Sequence, residues 1–122
     1  MSEPTLADET VRERLAANLP HWHLEDGCIR RRYRTHGWKG TLMVVNAVGH
    51  LAEAAWHHPE IAASYSAVEV RLRTHSAKGI TEKDLALARR IEDLVTWRPG
   101  PGDGGLEGPP DDPRHAYVRP DS

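Results

Sequence analysis

An α+β domain of order α-β-β-α-β-β-α, with a four-stranded antiparallel sheet packed against helices, is the fold class this sequence predicts. Three observations predict it: helical apolar spacing in three segments, an Asp26-Gly27 turn between two short alternating runs, and a later run in which Val68, Val70 and Leu72 alternate with charged residues. A chain of 122 residues suits one domain with a modest core. Hydrophobic content of 39% is ordinary and Phe is absent, so Trp, Tyr, Leu, Val and Ile must supply the bulk. A net charge of −2 gives no global attraction to nucleic acid or anionic lipid. The run Arg30, Arg31, Arg32, Arg34 reads as a solvated strand face. Cys28 is alone, so neither an intrachain disulfide nor a multi-cysteine zinc site can form. Met1-Ser2-Glu3-Pro4 does not open a secretory signal, and no apolar run reaches the ~20 residues of a membrane helix. A cytoplasmic protein is expected, with no nucleic-acid or membrane partner.

The elements follow in order. Thr5-Leu6-Ala7-Asp8 has the form of a capping box, and Val11, Leu15 and Leu19 recur at helical spacing until Pro20. Trp22 and Leu24 alternate on one arm of a hairpin turning at Asp26-Gly27; Ile29, Arg31 and Tyr33 share a face of the other. From about Trp38 to His57 the period becomes helical. Val44, Val48, Leu51 and Ala55 form the apolar stripe, widened by Leu42, Val45 and Ala52, and Pro59 forces a stop. Ile61 to Tyr65 starts a third strand, and Val68 to Leu72 is a half-buried fourth ending at Thr74-His75. Thr81-Glu82-Lys83-Asp84 is a second capping box, continued by Leu85, Ala88, Ile91 and Val95. No internal repeat is present. Residues 1–97 are thus the domain, and 98–122 a Gly/Pro-rich tail, extended or disordered in isolation.

Several polar groups crowd the element ends. Glu53 and His57 are four apart and share a helix face, with His58 turned about 100° away. His75 closes a strand, and Asp84 lies in the first turn of the third helix. Imidazoles titrate near neutrality, so two or three around one cavity can give and take protons without large tuning. Each residue also has a plainer explanation. A histidine at a helix C-terminus is favoured by the helix dipole, and a capping box accounts for Asp84. His21, His23, His36, His50 and His115 read as structural or surface residues. His57, His58, His75, Glu53 and Asp84 are acceptable zinc or iron ligands, but Glu-x-x-x-His is not a zinc-protease arrangement and adjacent histidines rarely face one metal. No metal is expected.

Glu53-Ala54-Ala55-Trp56-His57-His58-Pro59, then Tyr65, Thr74-His75 and Gly79-Ile80-Thr81-Glu82-Lys83-Asp84, resembles the signature of the pterin-4a-carbinolamine dehydratase family. The likeness covers about residues 5 to 96. It implies the same α-β-β-α-β-β-α fold and the dehydration of 4a-hydroxytetrahydrobiopterin to quinonoid dihydropterin. By the same resemblance His57 and His75 are the acid/base pair, His58 binds and orients the pterin, and Asp84 orients a histidine. Glu53 and Thr74 would lie near the ring, and Trp22 would help line the pocket. The resemblance implies no metal or organic cofactor, the pterin being substrate. It also implies homodimers or homotetramers formed by edge-to-edge sheet pairing.

Two features depart from the family pattern. The stretch Arg34 to Leu42 carries Trp38 and Leu42 where relatives carry several phenylalanines. The tail 98–122, with apolar islands at Leu106 and Ala116-Tyr117-Val118, is absent from typical members; it suits an arm that packs on its own domain, a neighbouring subunit or a protein partner. Dehydratase-like proteins that act as Rubisco assembly factors supply the alternative: a binding role on the same fold with weak or no catalysis.

Overall fold

In a computed structural model, residues 4–110 and 112–122 are described. The expected domain start and the reading of Met1-Ser2-Glu3 as leaderless fall partly outside those residues. Three helices and four strands follow the predicted order: α1 Asp8–Asn18, β1 His23–Glu25, β2 Cys28–Arg34, α2 Trp38–Ala55, β3 Glu60–Ser64, β4 Ala67–Leu72 and α3 Glu82–Val95. The sheet is antiparallel throughout, in the order β1-β2-β4-β3. Among the described residues no helix is long and apolar enough to cross a membrane.

The hairpin turns where expected. Asp26 and Gly27 both adopt positive φ (52° and 76°), the type I′ geometry that matches strand twist. In β4, Val68, Val70 and Leu72 are fully buried, while Glu69 and Arg71 face outwards. They meet Val11 and Leu15 of α1, Val44 and Val48 of α2, and Ala88, Ile91 and Val95 of α3 in one core. Helices therefore cover one face of the sheet.

Four expectations change on contact with the structure. Thr5 does not cap α1: the N-cap is Ala7, without a side-chain bond. The Leu6 N–H is held by the Ile80 carbonyl at 2.8 Å, and Thr5 packs over Gly79, so the chain stays extended for two residues more. Arg31 is not on a solvated face. It is 3% exposed and paired with Glu92 of α3 at 2.9 Å. Leu42 does not widen the buried stripe; with Trp38 and Met43 it lies exposed on α2. Finally, α2 ends at Ala55, not His57, because Trp56 takes a left-handed conformation (φ 52°, ψ 45°).

Glu92 anchors α3 to the sheet. It accepts the Trp22 indole N–H (2.9 Å), the Tyr33 hydroxyl (2.8 Å) and two Arg31 N–H groups (2.9 and 3.2 Å). Arg31 also stacks over the Tyr33 ring, 4.2 Å from its centre. Every charge here has a partner, as burial requires.

The end of the tail runs along β2. β1 pairs only as far as Arg30. Beyond it, Arg119 N–H donates to the Arg34 carbonyl (2.7 Å), His36 N–H to the Tyr117 carbonyl (3.3 Å), and Val118 bridges Thr35. Val118 is buried. The tail thus covers edge groups that would otherwise face water.

Candidate active site

The site is built where α2 ends and α3 begins. The left-handed Trp56 reverses the chain, and its N–H closes on the Ala52 and Glu53 carbonyls. His57 is thereby swung off the helix towards α3. Its imidazole Nε2 lies 2.6 Å from Asp84 Oδ1.

Asp84 is wholly buried and held from three sides. Its Oδ2 accepts the Thr81 N–H (2.9 Å) and the Thr74 hydroxyl (2.7 Å). Thr74 has then spent its only proton, so Thr81 must donate its hydroxyl to Thr74 Oγ1, 2.8 Å away. The Lys83 N–H in turn donates to Thr81 Oγ1 at 3.2 Å. Every donor in this network has a direction. One carboxylate therefore performs two tasks: it completes the capping box of α3 and receives His57. Cap and orienter were alternatives in the sequence; in the fold they coincide.

The chemical consequence is a fixed tautomer. A carboxylate can only accept, so the neutral His57 ring carries its proton on Nε2 and keeps its lone pair on Nδ1. The ring is largely buried, its side chain 14% exposed. His58 is oriented similarly but in the open, with Nε2 2.9 Å from Glu53 Oε1 and its ring edge-on to Trp56 at 5.0 Å. Helical spacing pairs Glu53 with His57. The structure pairs it with His58 instead, since the reversal at Trp56 takes His57 out of register with α2.

Thr74 joins the network and His75 follows it directly, exposed at the start of the Thr74–Gly79 turn. Among the described residues no hydrogen bond links His75 to His57, His58 or Asp84. Trp22 is not brought to this cluster. Its indole is buried on Glu92, eight residues or about 12 Å along α3 from Asp84. Sequence reasoning missed Trp56 and the α3 residues that share its cavity, although their spacing on α3 was available as a signal.

His57 opens on a cavity of about 320 Å³ between the end of α2 and α3, lined also by Trp56, Lys83, Ala86, Leu87 and Arg90. That is within the ~300–1,000 Å³ of small-ligand sites. Two clefts of about 520 Å³ lie elsewhere, one between α3 and the tail and one beside the hairpin turn. Neither is lined by His57, His58 or His75. The cavity wall thus carries one largely buried, oriented imidazole able to exchange a proton with a small molecule, while His58 and His75 do not line it.

A family model described as pterin 4 alpha carbinolamine dehydratase matches residues 4–94. A protein of Aquifex aeolicus, provisionally named pterin-4-alpha-carbinolamine dehydratase, is 46% identical over 90 residues, covering 74% of this chain and 90% of its own length. One of Streptomyces coelicolor with the same provisional name is 42% identical over 95 residues, covering 77% and 92%. Among solved structures, a transcriptional coactivator/pterin dehydratase from Brucella melitensis superposes with TM-score 0.68 at 29% identity, covering 75% of this chain and 98% of that one. A pterin dehydratase-like protein described as a RuBisCO assembly factor in the alpha-carboxysome gives TM-score 0.52 at 19% identity, covering 63% and 89%, and shares the fold. Residues 98–122 lie beyond the matched span.

Proposed function

The chain belongs to the pterin-4a-carbinolamine dehydratase family, and from that premise we propose that it dehydrates 4a-hydroxytetrahydrobiopterin, or a close analogue, to the quinonoid dihydropterin. The observation that carries this reading is the buried Asp84–His57 pair at the wall of a small-ligand cavity.

The reaction breaks the C4a–O bond and the N5–H bond. As the hydroxyl leaves with its electron pair it takes a proton and becomes water. N5 gives up its proton, and the N–H electron pair forms the C4a=N5 double bond. One group must donate and another must accept. In this reading His57 Nδ1, freed by the Asp84 bond, takes the base role, and His75 is the partner acid. His58, held by Glu53, binds and orients the ring, and Thr74 acts through Asp84. Trp22 enters only by packing beneath α3. Assistance of this kind contributes about 10²–10⁴ in rate. The reaction needs no metal or organic cofactor, since the pterin itself supplies the leaving group and the electron pair.

On this reading the enzyme works in the cytoplasm as a homodimer or homotetramer. Support for assembly comes from the outer edge of β3, unpaired among the described strands, and from the exposed Trp38, Leu42 and Met43 on α2. A second reading, a binding role such as assembly of a larger enzyme, is favoured only by the tail beyond the family match.

A direct test generates the 4a-hydroxytetrahydropterin with a phenylalanine hydroxylase and follows its decay by ultraviolet absorbance. Native protein should accelerate the decay, with His57→Ala and His75→Ala each losing about 10²-fold or more. Equal decay with and without native protein would leave only the binding role.

A further inference from the structure

The cavity that holds His57 is charged in a way the dehydration does not require. Arg90 and Lys83 both line it, seven residues and about two turns apart on one face of α3. Among the described residues no carboxylate lines it. The four acidic residues of α3 are all committed elsewhere: Glu82 to Arg14, Asp84 beneath His57, Glu92 to Arg31 and Tyr33, and Asp93 to Arg89. Glu53, the acidic residue near the end of α2, is held by His58. Arg90 itself is exposed and turned to this cavity. Trp56, 75% exposed, also lines it, in a backbone conformation that bulky residues rarely take. The cavity thus offers an imidazole, an indole and a guanidinium within one small volume. The pterin ring and a dihydroxypropyl side chain have no formal negative charge to meet that guanidinium.

We propose that this cavity selects a pterin whose side chain carries an anion, a phosphate or carboxylate, bound by Arg90. This rests on the dehydratase reading above and narrows its substrate class. A guanidinium matches either anion through paired N–H donors, so the two sources share one recognition chemistry. A half-enclosed site makes the interaction stronger than at an open surface and sensitive to salt.

The test uses the native full chain and three stable 7,8-dihydropterins, one with a neutral polyol side chain, one with its phosphate ester and one with a carboxylate-bearing side chain. Binding is read by titration calorimetry. The phosphate ester should bind about tenfold tighter than the polyol, as one charge-assisted hydrogen bond provides. Arg90→Gln should erase that preference, and 0.5 M salt should shrink it. The carboxylate ligand identifies which anion is preferred. Equal binding of all three to native protein overturns the inference and leaves the dehydratase reading standing. A preference that survives Arg90→Gln also overturns it, because the anion is then held elsewhere. Binding of none of the three removes the dehydratase reading and this inference together.

Discussion

Replacing Asp84 by Asn changes one atom and separates the two tasks that Asp84 performs. Its Oδ2 accepts from Thr81 N–H and Thr74 hydroxyl, and its Oδ1 from His57 Nε2. In Asp84→Asn the new amide oxygen can keep the first two donors, so the capping box survives. The cost is the lost charge at the helix N-terminus, about 1 kcal/mol or less. The amide NH₂ then faces His57 Nε2. Two donors cannot share that 2.6 Å contact, so the imidazole must move its proton to Nδ1. The base nitrogen becomes a donor, and the lone pair is wasted on the amide. The expected result is a loss of about 10²–10⁴ in kcat, with Tm lowered by a few degrees at most. Stopped-flow dehydration and thermal unfolding on the same sample measure both. A variant that keeps more than half the native kcat would refute the tautomer argument. A slow variant that is also unfolded would contradict the surviving capping box instead.

Trp56→Asn should raise stability by about 1 kcal/mol, because asparagine tolerates the left-handed conformation that tryptophan does not. It should also weaken dihydropterin binding, so Tm and affinity move in opposite directions. Gly40→Ala places a methyl 2.6 Å from the Tyr117 carbonyl and should lift the tail from β2, seen as faster proteolysis after residue 98 with dehydration unchanged. Burial alone would raise the Glu92 pKa, but hydrogen bonds from Arg31, Tyr33 and Trp22 and the Arg31 charge outweigh it and hold the carboxylate below its ordinary value. The unfolded chain therefore takes up this proton first. The stabilisation is complete above pH ~4.3 and is lost as pH falls below it. Glu92→Gln should cost about 3–5 kcal/mol at pH 7 by stranding buried Arg31, and should flatten that acid limb in urea titrations. Burial, then the Glu92 charge, pushes the Tyr33 phenol far above its usual range, so stability should also fall as pH rises past ~10.

Local sequence carried the elements and the α3 cap because each is set by neighbours within a turn. Val68, Val70 and Leu72 alternate whatever lies across the sheet, and Thr81 meets Asp84 by spacing alone. What failed depended on distant partners. Arg31 reads as a surface cation until Glu92, 61 residues later, is brought against it. Glu53 reads as facing His57 because an unbroken helix would place them so. The break falls at Trp56, a residue whose size argues against the left-handed conformation it takes. Thr5 has the right spacing for a cap, but a backbone bond to Ile80 across the domain holds the chain extended. Trp22 shows the same limit: its indole is apolar enough for either a pocket or a core, and only Glu92 decides.

The most direct measurement is the ¹⁵N spectrum of the His57 ring in the native chain, recorded where the imidazole is neutral. Nε2 should carry the hydrogen, coupled to the Asp84 carboxylate, with Nδ1 showing the chemical shift of a bare nitrogen; a ring protonated on Nδ1 instead would contradict the account.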